Sequence, residues 1–275
     1  MTTASVQPGG PGAIGLIIVG DEILSGKRAD QHMPKVIELL AARGLQLAWT
    51  DYVGDDPRRI TATLQRAFAS GDVVFSCGGI GATPDDHTRQ CAAKALGVEL
   101  ELHPQAEALI RERMQDVARE QGRPYEPDRP DNAHRLNMGV FPRGARIIPN
   151  PYNKIPGFFV GHVHFVPGFP VMAWPMIEWV LDQRYAHLFQ RGAHVEKSVI
   201  VFGSMEATLT PLMEAIERDH SQVKVFSLPS VDHPEWGRHI ELGVKGSRAA
   251  VDLAFVQLLG GLKALEVELG PELVR

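Results

Sequence analysis

Residues 73–88 read Val73-Val74-Phe75-Ser76-Cys77-Gly78-Gly79-Ile80-Gly81-Ala82-Thr83-Pro84-Asp85-Asp86-His87-Thr88. The apolar beginning predicts a buried strand, and the helix-forming residues from Thr88 to Leu96 predict a helix with an inward apolar face. Between them lie three glycines and two adjacent carboxylates. The segment therefore predicts a strand that ends in an acidic glycine loop, followed by a helix.

This loop has the composition of a phosphate-binding turn. Glycine lets a ligand approach the main chain closely, and amide groups at a strand-to-helix turn form a concavity for anions. Asp85 and Asp86 would repel a bare phosphate, but a hard cation such as Mg2+ could lie between them. The sequence thus indicates a metal-assisted phosphate or nucleotide site. A glycine turn followed by an Asp helix cap is the alternative, since the loop lacks the Lys-Ser/Thr ending of a P-loop.

A second strand end carries glycine and carboxylates. The apolar run from Ala13 to Val19 is typical of a strand buried on both faces of a parallel sheet, and Gly20, Asp21 and Glu22 follow it. Open α/β sheets bind ligands beyond the carboxyl ends of their strands. Asp21 and Glu22 are therefore candidate metal or ribose ligands, with turn residues as the simpler interpretation.

Strand and helix patterns alternate along the first two thirds of the chain, which predicts a three-layer α/β domain over residues 13–190. Residues 104–120 are predicted as a solvated surface helix, 121–132 as an irregular loop and 159–166 as one strand. Residues 1–12 are predicted to be a disordered arm. Residues 191–275 show the order strand, helix, strand, strand, helix, which predicts a small two-layer α+β domain with an antiparallel sheet.

Composition narrows the class of protein. Hydrophobic residues make up 44% and charged residues 22% of the 275, which is ordinary for a globular protein. The net charge of -5 disfavours a nucleic-acid partner. We expect no membrane association, because no apolar run of about eighteen residues occurs. The two cysteines form no disulfide framework, which favours a reducing compartment and a cytoplasmic location.

Several motifs together resemble a known family. Gly20-Asp21-Glu22-Ile23-Leu24, Val53-Gly54-Asp55-Asp56 and the segment Gly78 to Thr88 are similar to the N-terminal domain of the competence/damage-inducible protein A (CinA-like) family. That domain belongs to the molybdopterin-binding, MoaB/Mog-like superfamily. The similarity covers roughly Ala13 to Leu188, and later segments agree with it: Arg123-Pro124, Asn132, Arg135, Asn150-Pro151, Pro156-Gly157-Phe158 and Pro167-Gly168.

The resemblance implies an α/β/α fold with a mixed, mostly parallel sheet, self-association into a homo-oligomer, and a KH-like module in the small domain. It implies a small-molecule nucleotide or pterin phosphate as ligand, and metal-dependent hydrolysis of a nucleotide pyrophosphate such as ADP-ribose or FAD. The chain departs from the family at Gln31-His32, where the family has Thr-Asn. It also lacks the family's Arg and Glu around Phe169, Pro170 and Val171.

Residues and resemblance together predict a pyrophosphatase that uses Mg2+, or else Mn2+ or Co2+. Asp86 and Asp85 are the predicted catalytic residues, and Asp86, Asp21 and Glu22 the predicted metal ligands. The predicted ligand-binding and phosphate-binding residues are Gly78, Gly79, Gly81, Thr83, Thr88, Arg135, Lys154, Pro156 and Gly157. Asp86→Asn is expected to abolish turnover and leave the fold intact. The alternative is a non-catalytic molybdopterin- or nucleotide-binding protein, which the missing Arg and Glu favour.

Overall fold

Residues 12–127, 129–189 and 194–275 are described in a computed structural model of the chain. The described residues up to Leu188 form one compact unit, and those from Phe189 form another. The predicted N-terminal arm, except Gly12, and the predicted boundary at residues 190 and 191 lie outside the described residues.

The first unit is built on a six-stranded sheet in the order β2-β1-β3-β8-β7-β6. Strands β2, β1, β3 and β8 are parallel, whereas β7 and β6 are antiparallel to their neighbours, so the prediction of a mixed, mostly parallel sheet is confirmed. The six strands are β1 (Ile14–Val19), β2 (Leu47–Val53), β3 (Val73–Cys77), β6 (Arg146–Ile148), β7 (Gly157–Val160) and β8 (Val163–Val166). Strands β4 (Leu100–Leu102) and β5 (Val140–Pro142) form a separate antiparallel pair.

Helices cover both faces of this sheet. They are α1 (Asp21–Leu24), α2 (His32–Ala41), α3 (Pro57–Ser70), α4 (Thr88–Leu96), α5 (Pro104–Glu120), α6 (Pro130–Leu136) and α7 (Pro170–Arg184). Helix α3 packs against α4, and α2 packs against α7. Ile17 and Val19 of β1 share a core cluster with Ile60 and Leu64 of α3. The alternate residues of β1 are buried as well, as expected for the central layer of a three-layer fold.

The sheet topology gathers several loops at one edge. The carboxyl ends of β1, β2, β3 and β8 all point the same way because these strands are parallel. The antiparallel pairing of β8 with β7 and of β7 with β6 brings the connection over residues 149–156 to this edge too. The acidic and glycine-rich loops therefore lie side by side, where open α/β sheets bind their ligands.

Three local predictions differ from the structure. Residues 159–166 form two strands rather than one, because Gly161 with φ 60° turns the chain between β7 and β8. Helix α5 buries Ala106, Ile110, Met114 and Ala118, so it is part of the core and not a solvated element. The predicted loop over 121–132 ends where α6 begins at Pro130, a residue suited to the first helical position.

In its described residues, the second unit is a four-stranded antiparallel sheet with two helices. Its strands are β9 (His194–Phe202), β10 (Val223–His233), β11 (Gly237–Ser247) and β12 (Glu268–Val274), and its helices are α8 (Glu206–Asp219) and α9 (Arg248–Ala264). The strand order is β10-β11-β9-β12. Strand β12 is absent from the prediction, because Gly270 and Pro271 weaken the strand pattern. The structure tolerates them at an edge strand where the pairing with β9 is irregular.

Candidate functional site

The glycine loop after β3 is anchored through its carbonyl groups. The Thr88 hydroxyl donates to the Gly78 carbonyl at 3.1 Å, and the Thr88 amide donates to the Gly79 carbonyl at 3.0 Å. The buried guanidinium of Arg89 donates to the Ile80 carbonyl at 2.6 Å. Three successive carbonyl groups are thus bound to the first turn of α4.

The amide groups of the same loop remain available. The N–H groups of Gly79, Ile80, Gly81 and Ala82 donate to no acceptor in residues 12–127, 129–189 and 194–275. Consecutive main-chain donors beside the N-terminus of a helix can form an anion-binding concavity, and these four amides precede the nine-residue helix α4. The loop therefore has the donors that a phosphate group needs, with its competing carbonyl groups already bonded elsewhere.

Side chains at the loop glycines would disrupt this arrangement. Gly78 and Gly79 have φ values of 104° and 68°, which favour glycine. A Cβ atom at Gly79 would overlap the Thr88 hydroxyl, and one at Gly81 would lie 2.5 Å from Asp86 Oδ2. The glycines are thus required by backbone conformation and by close packing.

Carboxylates from three neighbouring strand ends border the loop. The Asp21 amide donates to Asp55 Oδ2 at 2.9 Å, and the Asp55 amide donates to Asp21 Oδ1 at 3.1 Å. Burial raises the pKa of Asp55, and the charges of Asp21, Glu22 and Asp85 raise it further, against the hydrogen bond from Asp21. Negative charge from the loops after β1, β2 and β3 is therefore concentrated at this edge.

The predicted catalytic pair divides into two different environments. Asp86 Oδ2 accepts from the Thr83 amide at 2.8 Å and from the Thr83 hydroxyl, so this carboxylate shapes the loop itself. Asp85 is exposed and contributes to the electrostatic field at Asp55. Asp86→Asn would consequently change a side chain that bonds within the loop as well as any chemistry, so Asp85 and Asp55 are additional positions to test.

The loop after β8 approaches the glycine loop from the other side. The Gly78 amide donates to the Val166 carbonyl at 3.0 Å, and a Cβ atom at Gly168 would lie 3.4 Å from the Gly78 Cα. His32, which is 5% exposed at the start of α2, places Nε2 3.0 Å from the Gly168 carbonyl oxygen. This imidazole is thus positioned to hold the Gly168 segment close to Gly78.

The other predicted ligand residues lie farther along the edge or are engaged elsewhere. Lys154 Nζ contacts Glu112 and Asp116 of α5 at 2.7 and 2.6 Å. Arg135 Nη1 donates to Asn132 on its own helix at 3.3 Å. Pro156 precedes β7, and Gly157 packs so closely on Phe165 that a Cβ atom there would overlap the main chain. A ligand role for Lys154 would require it to leave its two carboxylates, and the ligand roles of all four residues stay predictions.

The carboxylate oxygens suit a hard divalent cation in their chemistry. Across the described part of the chain, however, no three His, Cys, Asp or Glu side chains converge closely enough to hold a metal ion. Asp21, Glu22, Asp55 and Asp85 would therefore hold Mg2+ only together with oxygen atoms of a bound phosphate.

Comparison with known proteins agrees with this geometry. The family described as "Probable molybdopterin binding domain" matches residues 15–187, which include every loop at the shared edge. The chain belongs to this family of molybdopterin-binding domains.

Individual relatives place this molybdopterin-binding domain among CinA-like proteins. A CinA-like protein from Anaeromyxobacter sp. (strain K) is 36% identical over 63% of the chain and 41% of its own length. The chain therefore spans about two fifths of that relative. A protein from Pyrobaculum calidifontis is 30% identical over 90% of the chain and 95% of its own length. The crystal structure of the protein CinA with unknown function from Thermoplasma acidophilum matches with a TM-score of 0.51 and 28% identity, over 62% of the chain and 96% of that structure.

Three residues of this molybdopterin-binding domain were not predicted as site residues. Gly54 and Asp55 follow β2 just as Gly20 and Asp21 follow β1. This repeated Gly-Asp pair is the sequence signal that could have identified Asp55 as a site residue. His32 and Arg89 act on loop carbonyl groups through tertiary contacts, for which the sequence gives no local signal.

In the residues that the structure describes, no helix combines the length and apolar character needed to cross a bilayer.

Proposed function

We propose that the molybdopterin-binding domain binds a nucleotide or pterin phosphate on the glycine loop and hydrolyses a nucleotide pyrophosphate with a divalent cation. The observation that supports this most directly is the set of four amide groups from Gly79 to Ala82 that have no acceptor among the described residues and lie beside a concentration of carboxylates. Main-chain donors would bind the phosphate oxygens, and the cation would reduce the repulsion between phosphate and carboxylates.

The chain's own residues have separate roles in this proposal. Thr88 and Arg89 hold the loop carbonyl groups, so that the amides face the ligand. Asp21, Glu22, Asp55 and Asp85 would hold Mg2+, Mn2+ or Co2+ together with phosphate oxygens. When bound, such a cation neutralises developing charge and lowers the pKa of water. Hydrolysis adds one water molecule across the P–O–P bond and releases two phosphate monoesters.

The test is a product assay with ADP-ribose and FAD in the presence of Mg2+, Mn2+ or Co2+, with EDTA as the metal-free control. Asp55→Asn and Asp85→Asn should each lower the rate by about 100-fold, which corresponds to ~2.7 kcal/mol in the barrier. Asp252→Asn, in an exposed ion pair with Lys197 of the second unit, is the matched control and should retain the full rate.

A non-catalytic binding protein is the second candidate. It is favoured by the lack of a converged metal cluster in the described residues and by the absence of Arg and Glu around Phe169. Calorimetric titration with molybdopterin, ADP-ribose and FAD, combined with product analysis, separates the candidates. Binding without products for every metal contradicts the hydrolase, and no binding of any of the compounds contradicts both.

Self-association, the lack of a nucleic-acid partner, the KH-like character of the second unit and the cytoplasmic location stay predictions. Sedimentation velocity is the direct measurement for the first of these.

A further inference from the structure

A cleft lies along the outer edge of β2 in the first unit. Its volume is about 620 Å³, within the range of small-molecule sites. Because β2 is the edge strand of the six-stranded sheet, the cleft is bordered by this strand, by α1 and by one side of α3. The lining residues that matter here are Asp21, Leu24, Asp51, Asp56, Arg59 and Arg66.

The cleft is adjacent to the proposed phosphate site. Asp21 lines it and also exchanges hydrogen bonds with Asp55, one of the carboxylates beside the glycine loop. Strands β2, β1 and β3 are consecutive, and neighbouring strands are ~4.8 Å apart, so the ends of β2 and β3 are separated by roughly 10 Å. A ligand with its phosphates on the loop could therefore extend into the cleft.

The lining groups match the chemistry of a nucleoside. Carboxylates such as Asp51 and Asp56 can accept hydrogen bonds from ribose hydroxyl groups. Guanidinium planes stack on flat rings, and Arg66 is held by Asp51 at 2.9 Å. Leu24, which is 57% exposed, adds an apolar contact.

We propose that this cleft binds the nucleoside part of a nucleoside diphosphate whose phosphates lie on the glycine loop. This inference rests on the proposed function and specifies its substrate class, because a phosphate compound without a nucleoside would leave the cleft empty. It assigns the selection of the nucleoside to α3 and the edge of β2, and the binding of phosphate to the loop after β3.

The test compares ADP with inorganic pyrophosphate, each titrated calorimetrically into the full chain with Mg2+. The two ligands differ by the adenosine that the cleft would bind. Ala62→Trp fills the cleft from α3, whereas Ala69→Trp is a matched substitution at an exposed position of the same helix outside the cleft. We expect Ala62→Trp to weaken ADP binding by about tenfold or more and to leave pyrophosphate binding unchanged. Ala69→Trp should change neither.

A second pair of variants avoids any dependence on how a large side chain packs. Arg58 and Arg59 are exposed neighbours on α3 that both lower the pKa of Asp56, after the larger effect of the Arg58 amide hydrogen bond, but only Arg59 lines the cleft. Arg59→Ala should weaken ADP binding about 2–5-fold through loss of a cation–ring contact, and Arg58→Ala should not. Circular dichroism confirms that each variant is folded.

The possible outcomes are distinct. Loss of ADP affinity with unchanged pyrophosphate affinity, in Ala62→Trp and Arg59→Ala only, supports the inference. Equal ADP affinity in all four variants overturns it and leaves the phosphate site standing. If the unaltered protein binds neither ADP nor pyrophosphate, the inference and the proposed function both fail.

Discussion

Thr88 and Arg89 each use a side chain to hold a carbonyl group of the glycine loop. Burial lowers the pKa of Arg89, while the charge of Asp86 opposes this effect. A buried guanidinium is costly without acceptors, so its bond to the Ile80 carbonyl ties the position of α4 to the conformation of the loop. Single residues thus determine which backbone groups remain free for a ligand.

The requirement for glycine at position 79 can be measured against a matched glycine. Gly79 and Gly97 have the same φ of 68°, but a Cβ atom at Gly97 would meet nothing within 4 Å, whereas one at Gly79 would overlap Thr88. Gly97→Ala should cost about 1 kcal/mol of unfolding free energy through backbone strain alone. Gly79→Ala should cost about 1–3 kcal/mol more, because the neighbouring atoms must move. Equal values in urea denaturation would show that the Thr88 contact is easily relieved.

The raised pKa of Asp55 predicts a dependence of stability on pH. A carboxyl group whose pKa is raised by folding takes up protons between its ordinary and its folded pKa, so stability falls as pH rises through that window. Asp55→Asn removes this loss of stability, and the Asn side chain can still accept the hydrogen bond from the Asp21 amide. The variant should therefore gain stability relative to the unaltered protein as pH rises from the ordinary Asp pKa, about 4, towards neutrality.

Asp252→Asn is the control for that experiment, because folding lowers the pKa of Asp252 whereas it raises the pKa of Asp55. A hydrogen bond from Lys197 lowers the pKa of Asp252, so its contribution is present above the ordinary Asp pKa and is lost on acidification. Urea midpoints for both variants across this range measure the effect. If Asp55→Asn tracks Asp252→Asn, folding does not raise the pKa of Asp55.

At the scale of elements, an ionic network adds to the pairing with β9 in fixing strand β12 to the second unit. Glu241 on β11 is 9% exposed and accepts hydrogen bonds from Ser198 on β9 and from Arg275 at 2.6 Å each. Burial opposes the ionised form of Glu241, yet these hydrogen bonds outweigh it and its pKa is lowered. The guanidinium of Arg275, which follows β12, thereby pairs with the nearly buried carboxylate of Glu241 on β11.

Removal of Arg275 should leave that charge incompletely paired. We expect Arg275→Ala to lower the unfolding free energy of the second unit by about 1–3 kcal/mol at neutral pH. The effect should disappear in acid, because a lowered carboxyl pKa contributes stability above its ordinary value and loses it as pH falls. Arg218→Ala, which breaks an exposed pair with Asp219, is the control and should cost less than ~1 kcal/mol. Equal losses for both variants would contradict a special role for the Arg275 contact.

At the scale of the whole molecule, each unit has its own hydrophobic core. Residues such as Ile17, Leu64 and Phe165 belong to one core, and Val201, Leu242 and Leu258 belong to the other. Separate cores favour separate cooperative unfolding, while ligands stabilise only the unit that binds them.

Differential scanning calorimetry should therefore resolve two transitions. ADP with Mg2+ at 100 times its dissociation constant should stabilise the first unit by about 2.7 kcal/mol and leave the second transition unchanged. Arg275→Ala should lower only the second transition. A single transition that moves with both perturbations would contradict independent units.

The elements of the first unit follow closely from local patterns. Helix α3 runs from Pro57 to Ser70, and local residues account for both of its ends, because Asp56 caps it and Gly71 ends it with φ 74°. Strands β1 and β3 are fully buried, as their continuous apolar runs indicate. The sequence patterns did not predict the turn at Gly161 or, in the second unit, the edge strand β12. A glycine within an apolar run and a Gly-Pro pair within a strand give ambiguous local signals.

For the site, the residue types alone indicate which groups are present: glycines that free the backbone, carboxylates at strand ends and a helix that begins after them. Which of these groups meet depends on the folded chain, because Asp55 reaches Asp21, His32 reaches Gly168 and Arg89 reaches Ile80 through contacts that local patterns do not encode. It also decided that Asp86 shapes the loop and that Lys154 is paired with α5. The reason is physical: side-chain type fixes what a group can bind, whereas strand order and register fix what lies within reach.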